Sequence, residues 1–292
     1  MASDSRPGIV DPAIEQEYNL RQRHPEREAV YRRFAEASER YRAGTTHHRN
    51  LRYGPGPRCL LDLFPARGSA EPAPSRLLVF IHGGYWRALE KDIFSFIAEP
   101  YAARGMAVAM LGYDLAPAVT LPEIVAETES AMRWLAASAA SLGIRSDGVV
   151  LAGHSAGGHL CGVLAGRTAG ELGGLEVAAI VGLSGIYDLH PLLRASMNRD
   201  VRMTRADCDG LSPMAFERFC AQRFLLAVGA LETLGFKQQT QRFADRLATL
   251  GHPSQVAIVP GRTHFDLLDE FADPGSTLFA STLALTAREP VR

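Results

Sequence analysis

The sequence predicts one large α/β domain, with a mostly parallel β-sheet covered by helices on both faces and a helical segment before it. Three observations lead to this fold class. Residues 77–81 and 149–152 are continuous apolar runs, as buried parallel strands require. Segments of helical periodicity separate such runs along the chain. The chain has 292 residues, 47% of them apolar, which is enough for a substantial core.

The N-terminal segment, residues 1–50, is polar and rich in arginine and glutamate. Between Glu15 and Tyr41 its scattered apolar residues follow helical spacing, which predicts one or two helices. Two interpretations stay open for this segment: a solvated arm, or a flap that packs over the mouth of a cleft in the domain that follows. We expect the α/β domain to occupy residues 51–292.

The α/β domain is expected to begin with a β-hairpin, because two strand-like runs flank Gly54-Pro55-Gly56-Pro57. A surface loop rich in Gly, Pro and Ser follows at 66–75. The remaining elements are expected in this order: strand 77–81, helix 93–103, strand 107–111, helix 121–142, strand 149–153, a helix from 159, strand 177–183, an irregular stretch at 184–220, strand 224–228, helix 236–250, strand 255–259 and a helix from 265.

Net charge and cysteine content exclude several classes of protein. The 31 basic and 32 acidic residues give a net charge of −1, which favours neither a nucleic-acid partner nor an anionic membrane surface. Four cysteines show neither Cys-x-x-Cys pairing nor zinc-ligand spacing, so we expect reduced thiols in a cytoplasmic protein. No apolar run reaches the roughly 18 residues that span a bilayer, and residues 1–7 lack the apolar stretch of a signal peptide. The oligomeric state stays open, a homodimer included.

A candidate nucleophile lies in Gly153-His154-Ser155-Ala156-Gly157, a Gly-x-Ser-x-Gly motif between an apolar strand and a helix. The serine of such a turn has a strained backbone, so the glycine positions must lack side chains that would collide across the turn. In return, the Ser155 hydroxyl projects into a cleft at the carboxyl end of a strand. The alternative is a glycine-rich turn without chemistry.

A serine nucleophile needs a base, and the base needs an acid that fixes its tautomer. His264 follows the last strand in a short loop and is the best candidate for the base. Glu232 is the carboxylate in the loop after the preceding strand and is the best candidate for the acid. Asp188 and Asp266 are weaker candidates, the first after another strand and the second too close to His264 in sequence. The order Ser155, Glu232, His264 is the nucleophile–acid–base order of α/β-hydrolases.

A second motif, His82-Gly83-Gly84-Tyr85-Trp86, follows a central strand. Consecutive glycines leave main-chain N–H groups unobstructed, so those of Gly84 and Tyr85 can form an oxyanion hole together with that of Ala156. Tyr85 and Trp86 are expected to wall the substrate pocket. The alternative for both aromatic residues is burial in the core.

These motifs resemble the α/β-hydrolase superfamily on its hormone-sensitive-lipase side. The finer similarity is to the kynurenine formamidases (arylformamidases), and it covers nearly the whole chain. It rests on the two motifs above and on Ser184-Gly185-Ile186-Tyr187-Asp188-Leu189, Ser212-Pro213, the segment around Phe236, and Glu17-Tyr18-Asn19. The resemblance implies the triad Ser155, Glu232 and His264, with Glu232 standing where many members have aspartate.

The resemblance implies a serine hydrolase that cleaves a formyl group from an aryl amide such as N-formyl-kynurenine, through an acyl-enzyme and without a metal or organic cofactor. The alternative activity is a carboxylesterase of small-acyl or aryl esters, which would use the same groups because both reactions share one kind of tetrahedral intermediate. A third alternative is a ligand receptor without catalysis on the same fold. The partner expected in each case is a small molecule.

Overall fold

The computed structural model describes residues 10–68, 74–252 and 254–286. The expectation about residues 1–7 lies outside the described residues, as does the middle of the predicted loop at 66–75. Within the described ranges, no helix is both long enough and apolar enough to cross a membrane.

One eight-stranded sheet forms the centre of the protein, in the order β1-β2-β4-β3-β5-β6-β7-β8. The strands β1 and β2 form the predicted hairpin, β2 pairs antiparallel with β4, and all later pairings are parallel. The prediction of a mostly parallel sheet is therefore confirmed. The strands are β1 (His48–Arg52), β2 (Leu60–Phe64), β3 (Arg76–Ile81), β4 (Met106–Leu111), β5 (Val149–His154), β6 (Val177–Leu183), β7 (Arg223–Gly229) and β8 (Ser254–Val259).

Eleven α-helices occur in the described part of the chain. They are α1 (Pro12–Tyr18), α2 (Leu20–Arg23), α3 (Arg27–Gly44), α4 (Ala98–Ala102), α5 (Leu121–Leu142), α6 (Ala156–Ala165), α7 (Asn198–Val201), α8 (Arg205–Leu211), α9 (Leu234–Thr249), α10 (Leu267–Ala272) and α11 (Thr277–Thr286). Three 3-10 helices accompany them, at Lys91–Ile97, His190–Arg194 and Pro213–Ala215.

The two faces of the sheet carry separate hydrophobic clusters, because alternate residues of a strand point to opposite faces. In β3, Leu77 and Val79 join one cluster, which α5, α6 and α9 cover. Leu78 and Phe80 join the other, which α3, α4, α10 and α11 cover. Helices on both faces explain why the central strands are apolar throughout.

The N-terminal segment forms three helices, where the spacing predicted one or two. The backbone of Asn19 leaves the helical region between α1 and α2. His24 leaves it between α2 and α3 because a residue that precedes proline is disfavoured in the helical conformation. Tyr18 and Leu20 lie in the same hydrophobic cluster as the central strands. The expected domain boundary after residue 50 falls inside β1.

Two predicted segments differ in detail. The expected helix at 93–103 is a 3-10 helix followed by the short α4. The stretch expected to be irregular, 184–220, contains α7, α8 and two 3-10 helices. These helices have seven residues or fewer, too few to show a helical period in the sequence.

Candidate active site

Ser155 occupies the sharp turn between β5 and α6, with φ 56° and ψ −116°. This strained conformation is maintained by close packing of the turn against β3. A Cβ atom on Gly157 would lie 2.0 Å from the carbonyl oxygen of Ile81, so only glycine fits there. The Ser155 N–H donates to the carbonyl of Leu183 at 2.8 Å, which fixes the turn to β6 as well.

His264 and Glu232 lie side by side, with His264 Nδ1 2.8 Å from Glu232 Oε2. A carboxylate only accepts hydrogen bonds, so Nδ1 carries the proton and Nε2 is free to accept one. The other carboxylate oxygen, Oε1, accepts from Ser184 Oγ at 2.5 Å and from the Gly229 N–H at 2.7 Å. Both carboxylate oxygens are thus engaged, and the Glu232 side chain has no exposed surface.

The two alternative acids have other partners. Asp188 bonds through Oδ1 to His190 Nδ1 at 2.9 Å. Asp266 accepts from the N–H and the hydroxyl of Thr263, both at 2.6 Å. The structure brings Glu232, and neither aspartate, to the His264 ring.

His154 precedes the candidate nucleophile and supports the loop of the candidate base. Its Nε2 donates to the main-chain carbonyl of His264 at 2.8 Å, and the two rings lie 4.6 Å apart between centroids. Burial lowers the pKa of His154 well below its ordinary value, so the ring stays neutral and holds this bond as a donor. The sequence predicts a packing or hydrogen-bonding residue here, because successive side chains of the turn point apart, and the structure shows both contacts.

The loop after β3 has an unusual backbone. Gly84, Tyr85 and Trp86 follow one another with φ 113°, 51° and 56°, a left-handed run that costs energy for the two aromatic residues. A Cβ on Gly84 would lie 2.2 Å from the carbonyl oxygen of Ala88. In the described part of the chain, the N–H groups of Gly84, Tyr85 and Ala156 donate to no protein acceptor. These free donors are what an oxyanion hole requires.

Ser155, His264, Gly84 and Tyr85 line one cavity of about 200 Å³. A second part of its wall comes from the N-terminal helices: Leu20, Arg21, Arg27, Glu28 and Tyr31. The N-terminal segment therefore contributes part of the cavity wall.

The N-terminal segment also touches the loop of the candidate acid. The Thr233 hydroxyl donates to the carbonyl of Glu17 at 2.8 Å, and the Gly235 N–H donates to Glu17 Oε2 at 2.6 Å. The ring of Tyr18 packs on Phe236, and Phe236 packs on the His264 ring at 4.4 Å between centroids. The helix α1 thus supports the site from outside the catalytic domain that the sequence predicted.

The expectation that Trp86 forms part of the pocket wall is wrong. Trp86 is 0% exposed and belongs to the hydrophobic core, where it packs edge-on against His159, and it is not among the residues lining the cavity. The left-handed loop turns its side chain away from the cavity. Tyr85 does line the cavity, as expected, and the other aromatic walls are Tyr31 and Phe265. Phe265 adjoins the candidate base in sequence, a signal that could have identified it.

Among the described residues, one group of side chains has its possible ligand atoms close enough together to hold a metal ion. The group consists of Cys59, Asp114 and Glu127. None of the three lines the cavity. One oxygen of each carboxylate is engaged by the protein, since Asp114 Oδ1 accepts from the Arg58 N–H and Glu127 Oε2 accepts from the Asp114 N–H. These bonds support the local backbone.

Comparisons with known proteins agree with this geometry. The family model described as BD-FAE matches residues 61–214, more than half of the chain. A kynurenine formamidase of Drosophila melanogaster is 30% identical over 235 residues, which are 76% of each chain. A kynurenine formamidase of Salmo salar is 27% identical, over 82% of this chain and 81% of its own. Esterase LipC of Mycobacterium tuberculosis is 30% identical, over 82% of this chain and 64% of its own.

Solved structures show the same fold. A crystal structure from Silicibacter sp. TM1040, provisionally described as a thioesterase, aligns with TM-score 0.82 and 30% identity over 96% of this chain and 100% of its own. Esterase LipW of Mycobacterium marinum aligns with TM-score 0.71 and 18% identity over 95% and 94%. The chain therefore belongs to the BD-FAE family, as a kynurenine-formamidase-like hydrolase of the α/β-hydrolase superfamily related to the hormone-sensitive-lipase-type esterases.

Proposed function

We propose that this hydrolase is an arylformamidase, which removes the formyl group from an aryl amide such as N-formyl-kynurenine. The observation that carries the proposal is the small cavity in which Ser155 and His264 meet aromatic walls. Relatives from two animals that carry the name kynurenine formamidase support the same substrate class.

In the proposed reaction, Ser155 Oγ attacks the formyl carbon while His264 Nε2 takes its proton. Glu232 holds the His264 ring and balances the positive charge that forms on it. The negative charge on the former carbonyl oxygen is stabilised by the free N–H groups of Gly84, Tyr85 and Ala156.

The intermediate collapses when the C–N bond breaks and His264 returns its proton to the leaving aniline nitrogen. Water then attacks the formyl-serine ester, with His264 again as base, and formate leaves while the Ser155 hydroxyl re-forms. Every step uses groups of the chain, the substrate or water.

The volume and the lining of the cavity favour a small acyl group on an aromatic leaving group. At about 200 Å³ the cavity is smaller than the 300–1,000 Å³ typical of sites for drug-sized ligands. The aromatic faces of Tyr31, Tyr85 and Phe265 offer a surface for an aniline or phenol ring. A formyl group needs the least room at Ser155 and leaves the remaining volume to the ring.

The second candidate is a carboxylesterase of small-acyl or aryl esters, which the similarity to esterase LipC supports. The ester would pass through the same oxyanion site, so the two candidates differ in leaving group rather than in catalytic groups. We also propose a cytoplasmic setting, which the four free thiols support.

Formate release from N-formyl-kynurenine, measured beside hydrolysis of p-nitrophenyl esters from acetate to octanoate, tests the proposal. We expect kcat/KM for the formamide to exceed that for the esters, and ester hydrolysis to fall as the acyl chain lengthens. An increase from acetate to octanoate without formate release would leave the esterase as the function.

A further inference from the structure

Two hydrogen-bond donors at the cavity have no part in the proposed reaction. Arg21, on α2, and Tyr31, on α3, both line the cavity that contains Ser155. Across the described ranges, the Arg21 guanidinium has no ion-pair or hydrogen-bond partner, and the Tyr31 hydroxyl has no hydrogen-bond partner. Groups of this kind, facing one cavity, are available to a ligand.

The neighbouring charges leave this end of the cavity positive. Both terminal nitrogens of Arg27 have partners, because Nη1 donates to the carbonyls of Arg21 and His24, and Nη2 pairs with Glu28 Oε1 at 2.8 Å. Arg27 and Glu28 therefore offset each other. Among the described residues that line the cavity, the charge of Arg21 remains uncompensated.

Tyr31 is suited to donate a hydrogen bond to a carboxylate that pairs with Arg21. The Tyr31 ring stands edge-on to Phe265, with 5.8 Å between centroids, which fixes its position on the aromatic wall. Burial raises the pKa of Tyr31 far above neutrality, so its hydroxyl keeps its proton and acts as a donor.

We propose that Arg21 and Tyr31 bind a carboxylate of the substrate, at the end of the molecule remote from the bond cleaved at Ser155. The preferred substrates are then aryl formamides whose ring carries a side chain that ends in a carboxylate. This inference rests on the proposed function and deepens it. An arginine guanidinium paired with a carboxylate, helped by a neutral hydroxyl donor, is a common way to recognise such a group.

The first test compares two formamides with the same ring and the same scissile bond. N-formyl-kynurenine carries a carboxylate, and N-formyl-2-aminoacetophenone carries none. We expect Arg21→Met to raise KM for N-formyl-kynurenine about tenfold with little change in kcat, and to leave KM for the neutral formamide unchanged. Tyr31→Phe should raise the same KM by a smaller factor.

Arg23→Met is the matched control, because Arg23 is another exposed arginine of α2 and is not among the residues lining the cavity. It should leave both KM values unchanged. Equal effects of Arg21→Met on both formamides, or no effect on either, would overturn the carboxylate site while the arylformamidase function stands.

A second measurement separates this inference from the proposed function. The probe is 4-oxo-4-phenylbutanoate, an aryl ketone acid without a formamide, used as an inhibitor of p-nitrophenyl acetate hydrolysis. We expect its inhibition constant to rise about tenfold in Arg21→Met and to stay constant in Arg23→Met. If wild type cleaves neither formamide, the arylformamidase proposal fails, and an unchanged inhibition constant would also reject the carboxylate site.

Discussion

The Tyr85 hydroxyl donates a hydrogen bond of 2.5 Å to the main-chain carbonyl of Tyr18. Tyr18 is the last residue of α1, and Tyr85 lies in the left-handed loop, whose Gly84 and Tyr85 line the cavity. Burial raises the pKa of Tyr85 well above its ordinary value, so the hydroxyl remains a donor. The bond connects the N-terminal segment to the proposed oxyanion hole.

Removal of this hydroxyl in Tyr85→Phe is expected to lower kcat about tenfold, because the strained loop loses a fixed anchor. KM should change less. The matched control is Tyr53→Phe, which removes a buried hydroxyl that donates to the Gly112 carbonyl at 2.6 Å, away from the cavity. Steady-state kinetics of both variants would contradict the expectation if kcat fell equally in the two.

Ser155→Ala is expected to reduce kcat about 10⁶-fold, because no other group can form the acyl-enzyme. The fold should persist, since the variant deletes only one hydroxyl oxygen. The measurement is hydrolysis by protein prepared without wild-type contamination, with circular dichroism as the control for folding. Activity within tenfold of wild type would remove Ser155 from the mechanism.

Glu232→Gln is expected to reduce kcat on the order of 10⁴-fold, because the amide no longer fixes the proton on His264 Nδ1 or balances the imidazolium charge. Asp188→Asn is the matched control, since it makes the same change in a carboxylate bonded to His190. Turnover of both variants should be compared at the same pH. A severe loss in Asp188→Asn with a mild one in Glu232→Gln would reverse the assignment.

Because His159 is buried, we expect the folded protein to be less stable in acid. Burial lowers the pKa of His159 from 6.5 to about 4, so between these pH values the unfolded chain binds a proton that the folded chain rejects. Stability is therefore lost as the pH falls from 6.5 towards 4, by up to roughly 3 kcal/mol for this group.

His159→Gln removes the titration and keeps a donor for the Leu211 carbonyl, which His159 Nε2 meets at 2.8 Å. Denaturant unfolding at pH 7 and pH 4.5 should show a smaller acid loss in the variant than in wild type. His82 and His154 have lowered pKa values as well, so part of the acid loss should remain. Equal losses in the two proteins would contradict the prediction.

The sequence was most informative where function depends on strand ends. Ser155, Glu232 and His264 each follow a strand, and parallel strands bring their carboxyl ends to one edge of the sheet. Chain order and the apolar runs were therefore enough to predict that Glu232 reaches His264 and that Ser155 and His264 line one cavity. The roles assigned to these residues stay predictions until the variants are measured.

The sequence was less informative where a side-chain direction depends on local backbone geometry. Trp86 points into the core because three successive residues adopt positive φ, which no spacing rule predicts for aromatic residues. The sequence also did not predict that Arg21 and Tyr31 line the cavity. Their placement depends on contacts between elements far apart in sequence, namely of α1 with α9 and of α3 with the 3-10 helix at Lys91–Ile97.

The cavity wall formed by residues 20–31 affects what a family match says about the site. The BD-FAE match begins at residue 61, so this stretch lies outside the part of the chain that the family model covers. The match ends at residue 214, so Glu232 and His264 lie outside it as well. It therefore covers the Ser155 motif and the strands β2 to β6, while the cavity wall at 20–31 and the candidate acid and base of any relative must be compared residue by residue.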